Sequence, residues 1–258
     1  LSNFGHAGGM IEAETQSPPA APRLRRLRST FGAIAGGLGV ASVPPVLPDR
    51  SDMTRALAVV FKVLAIDLVI DIGAGSGAFG TMARAGGYGG HIASFEPVPS
   101  LFAGVEALAA ADRRWDVSPV AIGAGAGTLP LNIMDLGAVS ARRATITRRD
   151  VAMRSLDQVL PPLLARHDAR RVFLNIDAPL REREILAGAE QSLGRIGAVQ
   201  TRLSTTLKSD GMPHYLAILS LFEAKHFSPH RFFPLGEDLA GPVDFTCCLV
   251  SNAKNGTG

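Results

Sequence analysis

Cysteine is nearly absent: the chain has two in 258 residues, Cys247 and Cys248, adjacent in an apolar run. Neighbouring cysteines rarely bridge each other and no second pair exists, so a disulfide scaffold and a zinc module are excluded. A reducing cytoplasm fits this usage. Charge of one sign is also scarce, with a formal net charge of +3 carried mostly by arginine. No long basic block interleaves with aromatics, which argues against nucleic acid as a partner. Nor does any apolar run reach the roughly 18–20 residues needed to cross a bilayer. The Arg-preceded, Gly/Ala-rich run Phe31 to Leu38 loosely resembles a signal peptide. It starts more than twenty residues in, and no A-x-A site follows, so residues 1–48 are read as a cytoplasmic N-terminal extension. The folded domain is assigned to residues 49–258, long enough to bury a sizeable core.

What is present is glycine, at 28 residues, and it is placed with pattern. The run Val69-Ile70-Asp71-Ile72 is apolar and β-branched, then breaks into Gly73, Gly75 and Gly77. A buried parallel strand reads as such a run, and glycines after it let the backbone turn and approach a ligand. About twenty residues on, His91-Ile92-Ala93-Ser94-Phe95-Glu96-Pro97 is a second strand ending in acid. A carboxylate there can hold the ribose hydroxyls of a nucleoside-containing cofactor.

The rest alternates. Helical spacing follows Ser51, a strand covers 68–72, a helix 77–85, a strand 91–95, a helix 99–110 and a strand 116–122. A short strand at 128–133 precedes an Arg-rich stretch with the doublets Arg142-Arg143 and Arg148-Arg149, read as a solvated loop or an anion contact near substrate. A helix then begins at Ser155 and runs through Val159. Strand 171–177, helix 181–193, strand 196–203, helix 214–226 and an edge strand 243–250 complete the pattern. Strands alternating with helices imply an α/β doubly wound, mostly parallel sheet with right-handed crossovers.

The glycines alone leave the cofactor open. Gly75 to Gly80 formally fits G-x-G-x-x-G, which would suit NAD(P) and an oxidoreductase. Asp71 is harder to explain for a dinucleotide, because a pyrophosphate gains nothing from a nearby carboxylate. S-adenosylmethionine carries a cationic amino group and a sulfonium, and acids near its loop are sensible.

Here the chain resembles the FkbM-type S-adenosylmethionine-dependent methyltransferases. The resemblance lies in Val69 to Gly77, Gly87 to Val98, Val120-Ala121-Ile122-Gly123 and Arg154-Ser155-Leu156-Asp157. It continues through Phe173 to Asp177, Glu184 to Ala189, Gln200 to Ser204 and Phe233-Pro234-Leu235. These motifs stand in family order over roughly residues 55–250. The resemblance implies a class I methyltransferase-like seven-stranded sheet with helices on both faces and an antiparallel edge strand. It further implies S-adenosylmethionine held by Gly73, Ala74, Gly75 and Gly77 with Asp71 nearby, by Glu96 at the ribose, and by Pro97, Ala121 and Ile122 around the adenine. Asp177 falls at the crevice expected of such a sheet.

The departures fall on the acceptor side. The family has Lys where this chain has Asn175, a Gln-Gly-Tyr-Glu run where it has Ala178-Pro179-Leu180-Arg181-Glu182, and Glu where it has Arg202. Asn175, Glu182, Arg202 and Ser204 are the candidate substrate contacts. Asp177 is the candidate base for an acceptor hydroxyl, with His214 second. The bland readings are an Asp capping a loop, a surface His, and acids at 182 and 184 that favour a helix dipole. O-methylation of a hydroxyl on a sugar, glycan or secondary metabolite is expected. The altered acceptor motifs leave a cofactor-binding protein without turnover as the alternative. No metal site is assigned, and a homo-oligomer is compatible with the chain.

Overall fold

The computed structural model describes residues 50–135, 145–205, 213–238 and 241–252. The expected extension and Arg142-Arg143 lie outside the described residues. The first element is helix α1 (Arg50–Val63). It is followed by β1 (Leu68–Ile72), α2 (Ala78–Ala85), β2 (His91–Phe95), α3 (Pro99–Ala109) and β3 (Trp115–Ser118). Then come β4 (Ala121–Gly123), β5 (Gly127–Asp135), β6 (Thr145–Ser155), α4 (Leu156–His167), β7 (Val172–Ile176) and α5 (Glu182–Ala187). The chain closes with β8 (Ile196–Ser204), α6 (Tyr215–Glu223), β9 (Phe227–Asp238) and β10 (Gly241–Ser251).

Seven strands form the main sheet in the order β3-β2-β1-β7-β8-β10-β9. The first five run parallel, and β10 is antiparallel to both of its neighbours. β1 and β7 are buried at every position, as continuous apolar strands between two helical layers should be. Alternate side chains feed two cores. Leu68, Ile70 and Ile72 pack with α4, α5 and α6, while Val69, Ile92 and Phe173 pack with α1, α2 and α3. This is the doubly wound, mostly parallel sheet that the alternation of strands and helices implies, with the seven strands that the resemblance implies. Among the described residues no helix is long and apolar enough to cross a membrane.

Several boundaries differ from the sequence reading, each for a local reason. The antiparallel strand lies one place in from the edge, and the edge itself is β9. Residues 227–238 carry Pro229 and Pro234, which demote a strand reading but are tolerated where one side of the strand faces solvent. The single strand expected over 116–122 is two, because Pro119 ends the ladder after Ser118. Ala121 and Ile122 belong to a separate three-stranded sheet in the order β4-β6-β5. The Arg-rich stretch from Thr145 on is not a loop but β6, paired antiparallel with β5, with Arg148 and Arg149 exposed on it. Helix α4 is set by a capping box between Ser155 and Gln158 and continues past Val159 through Pro161 and Pro162 to His167. Helix α5 stops at Ala187 with Gly188 as its C-cap, and Gly188 passes the β4 backbone so closely that a Cβ would lie 2.1 Å from the Gly123 carbonyl oxygen.

Candidate functional site

The site gathers at the C-terminal ends of β1, β2, β7 and β8. Gly73, Gly75 and Gly77 all adopt positive φ, at 76°, 56° and 77°. The turn they make folds directly back on β7: a Cβ on Gly73 would meet the Asp177 carbonyl oxygen at 2.5 Å. The Asp177 amide in turn donates to the Ile72 carbonyl, while the Gly73 and Ala74 amides donate to Phe95. A Cβ on Gly75 would meet nothing nearer than the Gly73 carbonyl at 3.9 Å, so bare backbone faces open space there. Only glycine combines that backbone with that openness.

Glu96 closes the loop from the β2 side. Its Oε2 accepts from the Gly75 amide at 2.7 Å and its Oε1 from the Val98 amide at 2.8 Å, across the turn at Pro97. Burial pushes this carboxyl above its ordinary range, and the two amides pull it back. A carboxylate has about four acceptor positions, so two remain after these bonds.

Asp71 does not line the loop. It is fully buried in the sheet, at the centre of a hydrogen-bonded row that crosses five strands. The Trp115 indole donates to Ser94 Oγ at 3.0 Å, and Ser94 donates to Asp71 Oδ2 at 2.9 Å. From the other side the Gln200 amide donates to Asn175 Oδ1 at 3.2 Å, and Asn175 donates to Asp71 Oδ1 at 2.8 Å. Burial dominates and pushes the Asp71 carboxyl up to about 6. From sequence alone Ser94 and Gln200 carry no role, and Trp115 reads as a packing residue. Their signal is a polar side chain on the same face of each buried strand, which has meaning only once the register is known.

The expected substrate contacts divide between two cavities on opposite faces of the sheet. A cavity of about 130 Å³ on the α1–α2 side is lined by Asn175, Asp177, Gln200 and Arg202 among apolar walls. Another of about 150 Å³ on the α6 side takes in Glu182 and Ser204, and Arg202 lines both. Glu182 is buried, and that burial raises its carboxyl. Arg202 Nη2 donates to Asp177 Oδ2 at 2.8 Å in a half-exposed ion pair. His214 lines neither cavity. Its Nδ1 accepts from the Leu216 amide as the cap of α6, and its ring packs on Tyr215. Ala121 and Ile122 are buried in the second sheet, with Ile122 in the core beside α4 and α5, rather than at the end of the third main strand. Among the described residues no three His, Cys, Asp or Glu side chains gather as a cation site.

No protein-family model and no curated protein sequence matches the chain. Among solved structures it is similar to an O-methyltransferase from Bacillus cereus in complex with SAH, at 13% identity over 85% of this chain and 87% of that one, TM-score 0.45. It is also similar to a precorrin-6y C5,15-methyltransferase from Geobacter metallireducens, at 13% identity over 83% of this chain and 95% of that one, TM-score 0.45. A third is the magnesium protoporphyrin IX methyltransferase of Synechocystis with bound SAM, at 12% identity over 87% of this chain and 92% of that one, TM-score 0.42.

Proposed function

We propose that the chain is an S-adenosylmethionine-dependent methyltransferase acting on a hydroxyl of a small acceptor, in keeping with the FkbM resemblance of its motifs. The observation that carries this reading is the Glu96–Gly75 hydrogen bond. It sets an acid with two spare acceptor positions beside a bare glycine backbone at the end of a parallel β1. Glu96 would hold the ribose and Gly73 to Gly77 would wrap the methionine part. When bound, the cofactor supplies an electrophilic methyl group. The protein's own contribution is to align the acceptor and receive its proton, and Asp177 at the end of β7 is the base best placed for this. The sheet order disfavours the NAD(P) reading, since dinucleotide folds carry the order 3-2-1-4-5-6 with no reversed strand inside the edge.

Cofactor binding without turnover is favoured by one observation, the engagement of Asp177 by Arg202. Calorimetry separates the readings. Wild-type protein should bind S-adenosylmethionine and Glu96→Ala should lose that binding. Absence of binding to wild type would overturn the proposal, and binding without methyl transfer to any hydroxylated acceptor would move it to the second reading.

A further inference from the structure

The cavity on the α1–α2 side has an uncommon floor. Gln200 is only 6% exposed, its side chain lines the cavity, and its Oε1 has no hydrogen-bond partner. Buried polar atoms are almost always satisfied, so an orphan on a side chain that lines a cavity asks for a ligand atom.

The row behind Gln200 fixes what that atom must be. An ionised Asp71 only accepts, so Asn175 must turn its NH₂ to Asp71 and its Oδ1 to Gln200. Gln200 must then spend its NH₂ on Asn175 and present its oxygen to the cavity. The Ser94 side agrees: an indole can only donate, which directs the Ser94 proton to Asp71. Every bond in the row points at Asp71, and the open position at its end accepts.

Met53, Phe79, Met82 and Leu235 make the walls apolar. At about 130 Å³ the space has room for a single ring, since an engineered apolar cavity of about 150 Å³ takes benzene. Asn175 is committed to its neighbours, and Asp177 and Arg202 are paired with each other. Thr246 adds one hydroxyl to the lining, and the rest of the wall is apolar, which suits a flat ring with one polar edge better than a sugar ring with a hydroxyl on nearly every carbon.

We propose that this cavity is a specificity site for an uncharged, ring-sized, largely apolar molecule bearing one hydroxyl, of the phenol class, which donates to Gln200 Oε1. This rests on the methyltransferase reading only in that the bound molecule is then the acceptor, whose hydroxyl is held on Gln200 and must turn from it to give its proton to Asp177. Binding can be tested without any cofactor.

The test uses the full chain labelled at its methionine methyl groups and titrated with phenol, toluene, anisole and glucose. Phenol should shift the Met53 and Met82 signals saturably and leave that of Met153, in β6, unmoved. It should bind about tenfold tighter than toluene or anisole, which lack a donor. In Gln200→Met that preference should vanish. The wild-type comparison needs no variant, so a folding failure of Gln200→Met leaves it decisive. Equal binding of phenol and toluene, a preference for glucose, or no saturable shift at Met53 and Met82 would overturn the site. Loss of S-adenosylmethionine binding would overturn the function and leave this result standing.

Discussion

Replacing Asp71 with asparagine should stabilise this protein at neutral pH, and the gain should disappear in acid. Asp71 has no exposed surface, and burial raises its carboxyl from an ordinary 3.8 to about 6 despite hydrogen bonds from Asn175 and Ser94. Between those two values the folded chain keeps a proton that the unfolded chain has released. Where the native state binds more protons, stability falls as pH rises. The contribution of Asp71 is therefore least unfavourable near pH 4 and most unfavourable above 6. A gap of about two units at about 1.4 kcal/mol each puts the neutral-pH cost at about 3 kcal/mol. Asp71→Asn keeps the shape and cannot ionise. Urea unfolding from pH 4 to 7.5 should show the two proteins close together at the acid end. At the neutral end the variant should be ahead by up to about 3 kcal/mol. Trp115 reports the transition well, being the only tryptophan and part of the same row. Taking the difference between the two proteins cancels Glu96 and Glu182, which are also raised, and His91, which is lowered. A difference that is flat with pH, or one that favours wild type at pH 7.5, would refute the reasoning.

Asp177→Asn should slow methyl transfer by about 10²–10⁴-fold and leave S-adenosylmethionine binding unchanged; matched losses in both would make Asp177 a cofactor contact instead. Its ion pair with Arg202 is half exposed, so the thermal midpoint should barely move. Gly73→Ala combines a φ of 76° with a Cβ 2.5 Å from the Asp177 carbonyl. It should cost about 1–3 kcal/mol and weaken cofactor binding, while Gly125→Ala, with open space around it, serves as the neutral control. Both thiols are buried and pushed up to about 12. A thiol reagent at pH 8 should therefore find neither Cys247 nor Cys248 in the native protein, and both in urea.

The buried strands were legible because nothing else fits an apolar run closed by glycine or acid: β1, β2, β7 and β8 lie within a residue or two of where periodicity puts them. Strand β9 was not, since Pro229 and Pro234 read as loop, and only the edge position makes them acceptable. Strand β6 was hidden by its arginines, which are exposed on a strand as readily as on a loop. In the site, Glu96 was placed by its position alone, at the end of a strand after the glycine loop. Gln200 could not be. Its role depends on Asp71 standing opposite Ser94 and Asn175, and on Asn175 standing opposite Gln200. Those pairings join residues 23, 104 and 25 positions apart. His214, a candidate for chemistry from sequence, uses its Nδ1 locally to cap a helix and lines neither cavity.

The resemblance to the FkbM-type proteins breaks off at 175 and 202, and the first of these positions lies in this row. A lysine at 175 would stand beside Asp71 in register and pair its charge. With Asn175 there, no cation is among the groups acting on Asp71, and burial prevails. The positive charge is found instead on Arg202 at the rim, where water shares the cost of ionisation and Asp177 is its partner. That exchange changes what the cavity floor presents. An ammonium at 175 only donates, so it would draw the oxygen of Gln200 toward itself and turn its NH₂ to the ligand. Asparagine transmits the demand of Asp71 for donors along the row and leaves an acceptor at the end. Selectivity for a hydroxyl over an ether is thus set by Asp71 and Asn175 behind Gln200, and not by Gln200 alone.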